Sequence, residues 1–140
     1  MTDSPALDLS ALVASMPFAA GCGIEIDAAG PDEVTARMPW SAERCTTGGL
    51  LHGGALMAFA DTVGAVCAFL NLPAGAGTST IESKTNFFRG VRSGVAHSVT
   101  RPLHVGRTTI VVQTDITDDD GKRVAQVTQT QAVLVPRAQT

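Results

Sequence analysis

An apolar segment near the middle of the chain contains one acidic residue, and this segment limits the fold more strongly than any other feature. From Gly53 to Leu70 nearly every residue is apolar or small, and Asp61 is the only charged one. A helix that is hydrophobic on every side has to be packed inside the protein. A carboxylate in such a helix is unfavourable unless another group binds it or a reaction uses it. The segment therefore predicts a buried central helix over about residues 54–70, with Asp61 as the first candidate functional residue.

The length and charge of the chain narrow the class of protein. Its 140 residues suffice for one hydrophobic core and leave little room for a second. The formal net charge is -3 and no basic cluster is present, so a nucleic-acid partner is not expected. The first ten residues lack the pattern of a secretion signal, and Asp61 and Thr62 interrupt the longest apolar segment. We expect a single domain, residues 1–140, in a cytoplasmic protein without a membrane partner.

Neither the cysteines nor the aspartates predict a metal site. Cys22, Cys45 and Cys67 lie far apart, with no CxxC pair and no histidine at ligand spacing. A disulfide framework and a zinc site are therefore not supported, and Cys67 is expected to be ordinary core packing. Residues 118–121 contain three aspartates but lack the ligand pattern of an EF-hand. Their Asp-Gly ending predicts a hairpin turn instead.

Local patterns predict one more helix and six strands. Apolar residues at helical spacing after Ser4 and Pro5, ending at Pro17, predict a lead-in helix within residues 1–20. Alternation of apolar and polar residues predicts the strands, and turn residues 29–32 separate the first two of them. The predicted strands begin at about Gly23, and the later ones cover residues 34–38, 79–88, 95–105, 108–117 and 124–135.

The order of these elements predicts an α+β fold. A helix without a polar face can be hidden only if an antiparallel sheet wraps around it and a further layer covers the remainder. Such a sheet has exposed edge strands, and pairing with a second copy of the chain would cover them. We therefore expect a homo-oligomer, with a homodimer as its unit.

Several segments together carry a likeness to a known family. Residues 47–56 read TGGLLHGGAL and precede Ala60-Asp61, and this stretch resembles the hotdog-fold acyl-CoA thioesterases, in particular the group of the phenylacetate-pathway thioesterase. The motifs MPF and GIEI upstream, and TNFFR and HVGRT downstream, are similar to the same group. The likeness covers about residues 15–135. It implies a hotdog fold, a thioester substrate and a site built from two subunits.

The start of the central helix is a candidate site for a developing oxyanion. The first N–H groups of a helix lack partners, and the helix dipole places partial positive charge there. Gly53 and Gly54 have no side chain to keep a carbonyl oxygen from these amides. The resemblance implies that the Gly53 amide polarises the thioester carbonyl and that Gly54 lines the substrate site. On the residues alone, the two glycines could equally serve a tight turn.

The resemblance assigns Asp61 to the position of a catalytic Asp or Glu. Its carboxylate could attack the thioester carbon directly, or act as general base for a water molecule. A third possibility is a buried carboxylate paired with backbone groups of a partner subunit. His52 invites a role as a base, because imidazole exchanges protons near neutral pH. The resemblance implies that His52 more often orders the loop or contacts substrate, and we keep it as the third catalytic candidate.

The remaining candidates are polar or basic residues expected to bind substrate. Thr46 stands where relatives often carry Asn or Gln, and Thr80 where some carry a serine. Ser83 is a second hydroxyl on the same predicted strand. Arg89 and Arg107 are favoured for the phosphates of coenzyme A, because guanidinium groups bind phosphate well. The motif Arg89-Gly90 also replaces a common Arg-Pro, which predicts a looser turn.

These observations predict an acyl-CoA thioesterase that needs no metal or redox cofactor, with coenzyme A entering as part of the substrate. An aryl group or a short to medium chain is expected as the acyl part, and dimer and tetramer both stay open. A non-catalytic acyl-CoA-binding module is one alternative, because Thr46 replaces the usual amide. A hotdog hydratase or dehydratase is another, although the histidine signature of those enzymes is missing.

Overall fold

The computed structural model of the protein describes residues 5–137. Three helices precede most of the sheet: α1 (Leu9–Ala14), α2 (Pro17–Gly21) and α3 (Gly53–Phe69). The strands are β1 (Glu25–Ala29), β2 (Val34–Pro39), β3 (Gly77–Phe87), β4 (Val95–Val105), β5 (Thr109–Thr117) and β6 (Arg123–Leu134). A short 3-10 turn, Ala42–Arg44, lies between β2 and α3. The predicted central helix and strands are therefore confirmed to within about two residues at each end.

The single lead-in helix that was predicted is two short helices. Ser4 lies outside the described residues, and α1 begins only after Asp8, whose side-chain oxygen accepts a hydrogen bond from the Ala11 N–H at 3.0 Å. Pro17 ends that helical run as predicted, because proline has no N–H to continue the hydrogen bonding. The same residue then occupies the first position of α2, where its restricted φ suits a helix start.

The six strands form one antiparallel sheet in the order β1-β2-β4-β5-β6-β3. The strand that follows α3 does not pair with its neighbours in sequence. Instead β3 crosses to the far side and pairs with β6. The free edge strands are therefore β1 and β3, and α1 lies against β1.

The core lies between the sheet and one side of α3. The helix packs against all six strands, so the sheet wraps around it as predicted. Phe59 and Val63 of the helix are fully buried, as are Ile110, Val112 and Ile116, which share one face of β5. This alternation is the one read from the sequence of β5, because successive side chains of a strand point to opposite faces.

One side of α3 is not covered, and here the prediction of a helix buried on every side is wrong for the single chain. Met57 and Asp61 are exposed on this side. The neighbouring strand β3 is exposed along almost its whole length, including Ile81, Phe87 and, just beyond it, Phe88. Apolar side chains in such a continuous exposed area are typical of an interface.

The turn between β5 and β6 accounts for the run of aspartates. Oδ1 of Asp118 accepts hydrogen bonds from the backbone N–H groups of Asp120 and Lys122, at 3.0 and 2.9 Å. Gly121 has a φ of 76°, which glycine adopts without strain. The predicted hairpin is confirmed. Among residues 5–137, no helix is long and apolar enough to span a membrane.

The cysteine of α3 is expected to be almost unreactive in the folded protein. Within residues 5–137 the three cysteines are free, and Cys67 is fully buried, as predicted. Burial and, to a smaller extent, the negative charge of Asp32 together raise the pKa of the Cys67 thiol from 9.0 to about 11. Because the thiolate is the reactive form, alkylation at pH 8 should be about 100-fold slower than for an ordinary thiol. Iodoacetamide labelling followed by peptide mass spectrometry checks this rate.

Cys22 and Cys45 are half-buried and provide the internal reference for that measurement. All three cysteines should react alike in denaturant. Labelling of Cys67 in the folded protein as fast as labelling of Cys22 would contradict the buried position of this thiol.

Candidate active site

Asp61 lies on the exposed side of α3, and only one of its two carboxylate oxygens is occupied. Oδ1 accepts a hydrogen bond from the Thr80 hydroxyl at 2.9 Å and another from the Gln129 side-chain amide at 2.7 Å. Within residues 5–137, Oδ2 has no hydrogen-bond partner. The carboxylate is thus held in one orientation with its second oxygen open to solvent, which suits either a nucleophile or a general base.

A bulge in β3 brings its hydroxyls to the helix. The pairing of β3 with β6 shifts register between Thr80 and Glu82, so Ile81 is the extra residue. Such bulges redirect side chains and are common beside active sites. Thr80 pairs with Gln131, and Ser83 pairs with Gln129, so both hydroxyl residues lie on the side of the sheet that faces α3. Thr80 therefore contacts Asp61, whereas Ser83 forms no side-chain hydrogen bond to any residue in 5–137.

Two glutamines of β6 belong to this cluster, and the sequence-based interpretation missed them. Gln129 and Gln131 are 1% and 0% exposed. The Gln131 amide donates to the Thr80 hydroxyl at 2.8 Å, and the Thr78 hydroxyl donates to Oε1 of Gln131 at 3.0 Å. The sequence did contain a signal for them. Gln129 and Gln131 follow the buried Val127 at intervals of two residues, and side chains at this interval lie on the same face of a strand. Both amides are therefore placed on the buried face of β6.

The N-terminus of α3 forms a second group of candidate residues. His52 is the N-cap residue, and its ring Nδ1 accepts a hydrogen bond from the Gly54 N–H at 2.8 Å. The backbone N–H of His52 donates to the Arg44 carbonyl at 2.8 Å. These contacts order the loop before the helix, which is one of the roles expected for His52. An Nδ1 atom that accepts a hydrogen bond from a backbone amide is not free to act as a base.

The Gly53 amide is left without a partner by the same capping contact. The cap engages Gly54, and within residues 5–137 no atom accepts a hydrogen bond from the Gly53 N–H. This N–H lies at the positive end of a helix of 17 residues. An unpaired amide in this position can stabilise negative charge on a carbonyl oxygen.

A cleft of about 340 Å³ opens beside Gly53. Its walls are mainly apolar, and it contains two of the predicted substrate-binding residues, Thr46 and Arg89. The ring of Phe87 closes one side, so close that a methyl group on Gly53 would lie 3.2 Å from it. The other lining residues are Leu50, Leu51, Leu56, Phe88 and Gly90.

Gly90 lies against the Leu50 side chain in the wall of the cleft. A Cβ atom on Gly90 would lie 2.6 Å from a methyl group of Leu50, so a larger residue would displace that wall of the cleft. Arg107 is not brought to either group of residues. It is exposed in the turn between β4 and β5 and does not line the cleft. A second cleft of about 480 Å³, between α1 and β1, is lined by none of the predicted site residues.

The free amide and the free carboxylate oxygen lie far apart within one chain. Gly53 and Asp61 are separated by eight residues of α3, or about 12 Å along the helix axis. A carbonyl oxygen bound to the Gly53 N–H at about 3 Å therefore lies out of reach of Asp61 in the same chain. Each chain presents two half-sites at different positions of one helix.

Comparisons with known proteins identify the family to which the chain is similar. Residues 48–125 match the thioesterase superfamily. The proofreading thioesterase EntH of Cronobacter turicensis is 33% identical over 112 residues, which cover 80% of this chain and 82% of that protein. The 1,4-dihydroxy-2-naphthoyl-CoA hydrolase of Escherichia coli is 32% identical over 111 residues, covering 79% of this chain and 82% of that enzyme.

A solved structure extends the similarity to nearly the whole chain. The crystal structure of a mutant of the thioesterase PA1618 from Pseudomonas aeruginosa superposes with a TM-score of 0.86 at 33% sequence identity. The superposition covers 92% of this chain and 95% of the other.

Proposed function

Because this chain belongs to the thioesterase superfamily and is a thioester hydrolase of the hotdog fold, we propose that it hydrolyses acyl-CoA thioesters to the free acid and coenzyme A. The observation that carries this proposal is the pair of half-sites on α3. One is an unpaired amide beside an apolar cleft, and the other is a carboxylate with one oxygen held and one free. The amide is that of Gly53, and the carboxylate is that of Asp61.

The two groups would divide the chemistry between them. The Gly53 N–H and the helix dipole stabilise the negative charge that develops on the thioester oxygen. In one route, Oδ2 of Asp61 bonds to the thioester carbon, and the carbon–sulfur bond breaks. Coenzyme A leaves as a thiolate that takes a proton from water, and water then hydrolyses the mixed anhydride to the free acid and the Asp61 carboxylate. In the other route, the oxygen of a water molecule attacks the thioester carbon while Asp61 takes a proton from that water. The coenzyme A thiolate then leaves and is protonated. Both routes use the same free oxygen.

A second copy of the chain would bring the half-sites together. Phe87 of β3 lies beside Gly53, and Thr80, seven residues earlier on the same strand, contacts Asp61. If two copies of the edge strand β3 pair antiparallel about an axis near Ser83 and Lys84, Thr80 of each copy lies opposite Phe87 of the other. Asp61 of the partner subunit then faces Gly53.

The exposed surface supports this pairing. The free edge of β3 and the uncovered side of α3 form one continuous area that carries large apolar side chains. Pairing would bury this area and complete the backbone hydrogen bonds of the edge strand. We propose a homodimer with two shared sites as the active unit, and a dimer of such dimers fits the same site.

The lining of the cleft supports an apolar acyl group. Leucine and phenylalanine side chains form most of its walls, and Arg89 lies at its rim, where a guanidinium could bind a phosphate of coenzyme A. The acyl class proposed is aryl or short to medium chain. Only side chains and a backbone amide take part in this scheme, with coenzyme A as part of the substrate. A cytoplasmic location stays a prediction.

Release of free thiol from a panel of aryl, short-chain and medium-chain acyl-CoA thioesters tests the proposed function. We expect turnover of at least one class, with the preferred class set by the fit to the apolar cleft. Binding of acyl-CoA without thiol release would contradict the proposal and favour the acyl-CoA-binding module. Hydration of a 2-enoyl-CoA with the thioester intact would contradict it in favour of a hydratase.

A further inference from the structure

The side-chain amide of Gln129 donates a hydrogen bond to Asp61, while its own carbonyl oxygen has none. Its Nε2 donates to Oδ1 of Asp61 at 2.7 Å, and the residue is 1% exposed. Its Oε1 is buried and has no hydrogen-bond partner within residues 5–137. Buried polar atoms are nearly always paired, so an unpaired one needs a reason.

The opposite orientation of this amide would not be stable. Turning the side chain over would place Oε1 against the Asp61 carboxylate, so that two acceptors would face each other at hydrogen-bond distance. The unpaired Oε1 is therefore the consequence of directing the N–H groups at Asp61. The contact with the carboxylate determines how Gln129 is oriented.

A glycine of α3 provides the space for this amide. Gly64 lies three residues after Asp61, and a Cβ atom there would lie 3.0 Å from Cδ of Gln129 and still closer to Oε1. Glycine inside a helix is destabilising relative to alanine, so its presence needs a compensating reason. The close approach of Gln129 to the helix is such a reason.

Further hydrogen bonds fix the other donor to Asp61. Thr80 accepts from Gln131 at 2.8 Å and more weakly from Gln129 at 3.3 Å. Its own hydroxyl proton is then free for Oδ1 of Asp61. The second amide is itself oriented, because Oε1 of Gln131 lies 3.0 Å from the Thr78 hydroxyl, whose one proton it shares with the Ala132 carbonyl. Both donors to Oδ1 are thus held by the strands beneath the helix.

We propose that Gln129 is a positioning residue that, together with Thr80, holds Oδ1 of Asp61 so that Oδ2 is the reacting oxygen. This role rests on the proposed function, in which Asp61 carries out the reaction. Gln129 itself does not touch the substrate. Its removal should therefore lower kcat and leave KM nearly unchanged.

Within residues 5–137, no other charged side chain contacts this cluster. On α3, Asp61 is the only charged residue, and His52 lies at the helix start. Glu82 of β3 bonds Thr130 on the outer face of the sheet, and Lys84 pairs with Thr128 on that same face. On β5, Asp115 bonds Gln126, also on the outer face. A new carboxyl group at position 129 would therefore interact mainly with Asp61.

The test compares the pH dependence of kcat/KM in wild type, Gln129→Glu and the matched control Gln126→Glu. A glutamate at 129 would have to share a proton with Asp61, so the acidic limb should move to higher pH by about one to two units. Gln126 also donates to a carboxylate, Asp115 at 3.0 Å, but on the outer face. The control should keep the wild-type profile.

A pair of smaller changes covers the case in which the buried glutamate prevents folding. Gly64→Ala should displace Gln129 and lower kcat about tenfold at constant KM, as expected for the loss of an oriented base. The same change in a Gln129→Ala background should have little further effect on kcat. Equal losses in both backgrounds would mean that Gly64 acts through the helix alone, and would overturn the role of Gln129.

The outcomes separate this role from the proposed function. An unshifted profile for Gln129→Glu, together with loss of activity in Asp61→Asn, would overturn the positioning role and leave the proposed function in place. Full activity of Asp61→Asn would remove the catalytic role assigned to Asp61, and the positioning role with it, whereas absence of thiol release from any acyl-CoA by the wild type would remove the proposed function itself.

Discussion

Replacing Asp61 by asparagine is expected to lower kcat for thioester hydrolysis by a factor of about 10² to 10⁴, the usual contribution of a catalytic acid or base. The amide cannot ionise, so it offers neither a nucleophilic oxygen nor a base. Its carbonyl oxygen can still accept from Thr80 and Gln129, because both partners are donors. The variant should therefore fold normally. Thiol release under saturating substrate measures the loss.

A matched control separates catalysis from loss of charge. Asp115 also accepts from a glutamine amide, but on the outer face of the sheet. Asp115→Asn should keep wild-type turnover, and circular dichroism should show both variants folded. Turnover of Asp61→Asn within about tenfold of wild type would argue against a general-base or nucleophilic role for this carboxylate.

Replacing Gly53 by proline is expected to lower kcat by a factor of about 10² to 10³, as for the removal of one oxyanion donor. Proline deletes the N–H, yet it is well tolerated at the first position of a helix. His52 before it has φ -60° and ψ 136°, an extended conformation that is suited to precede proline. Gly53→Ala is the control, since alanine makes the same close approach to Phe87 and keeps the N–H.

Mixing the two inactive variants tests whether the site is shared between subunits. In a heterodimer of Asp61→Asn and Gly53→Pro, one site would contain an intact Gly53 and an intact Asp61 from different chains. After unfolding and refolding together, random pairing should restore about one quarter of wild-type activity. A site formed within one chain would recover nothing. Sedimentation of the wild type as a monomer would likewise contradict the shared site.

Local periodicity accounts for what could be predicted of the fold. The apolar run gave the bounds of α3 to one residue, and alternation gave the strands, because the packing of each element on a core follows from its own side chains. The lone charge in the run identified Asp61. The two short helices at the start were missed, because the cap at Asp8 and the restart at Pro17 interrupt one helical pattern.

Only part of the candidate site could be predicted from the sequence. His52, Gly53, Gly54 and Asp61 lie within one continuous segment, and motif and spacing were enough to select them. Gln129 lies 68 positions from Asp61, and no local pattern connects the two residues. Arg107 was selected from its motif, but the fold places it in the turn between β4 and β5, outside the lining of the cleft.

By itself, the sequence determined the central helix, the antiparallel strands and the one carboxylate that needed an explanation. These depend on interactions between residues a few positions apart. Three features follow from the packed fold alone: one side of α3 is exposed, β3 pairs with β6, and a bulge directs Thr80 to Asp61. Strand order and register bring distant residues into contact, and they result from packing of the whole chain rather than from any one segment.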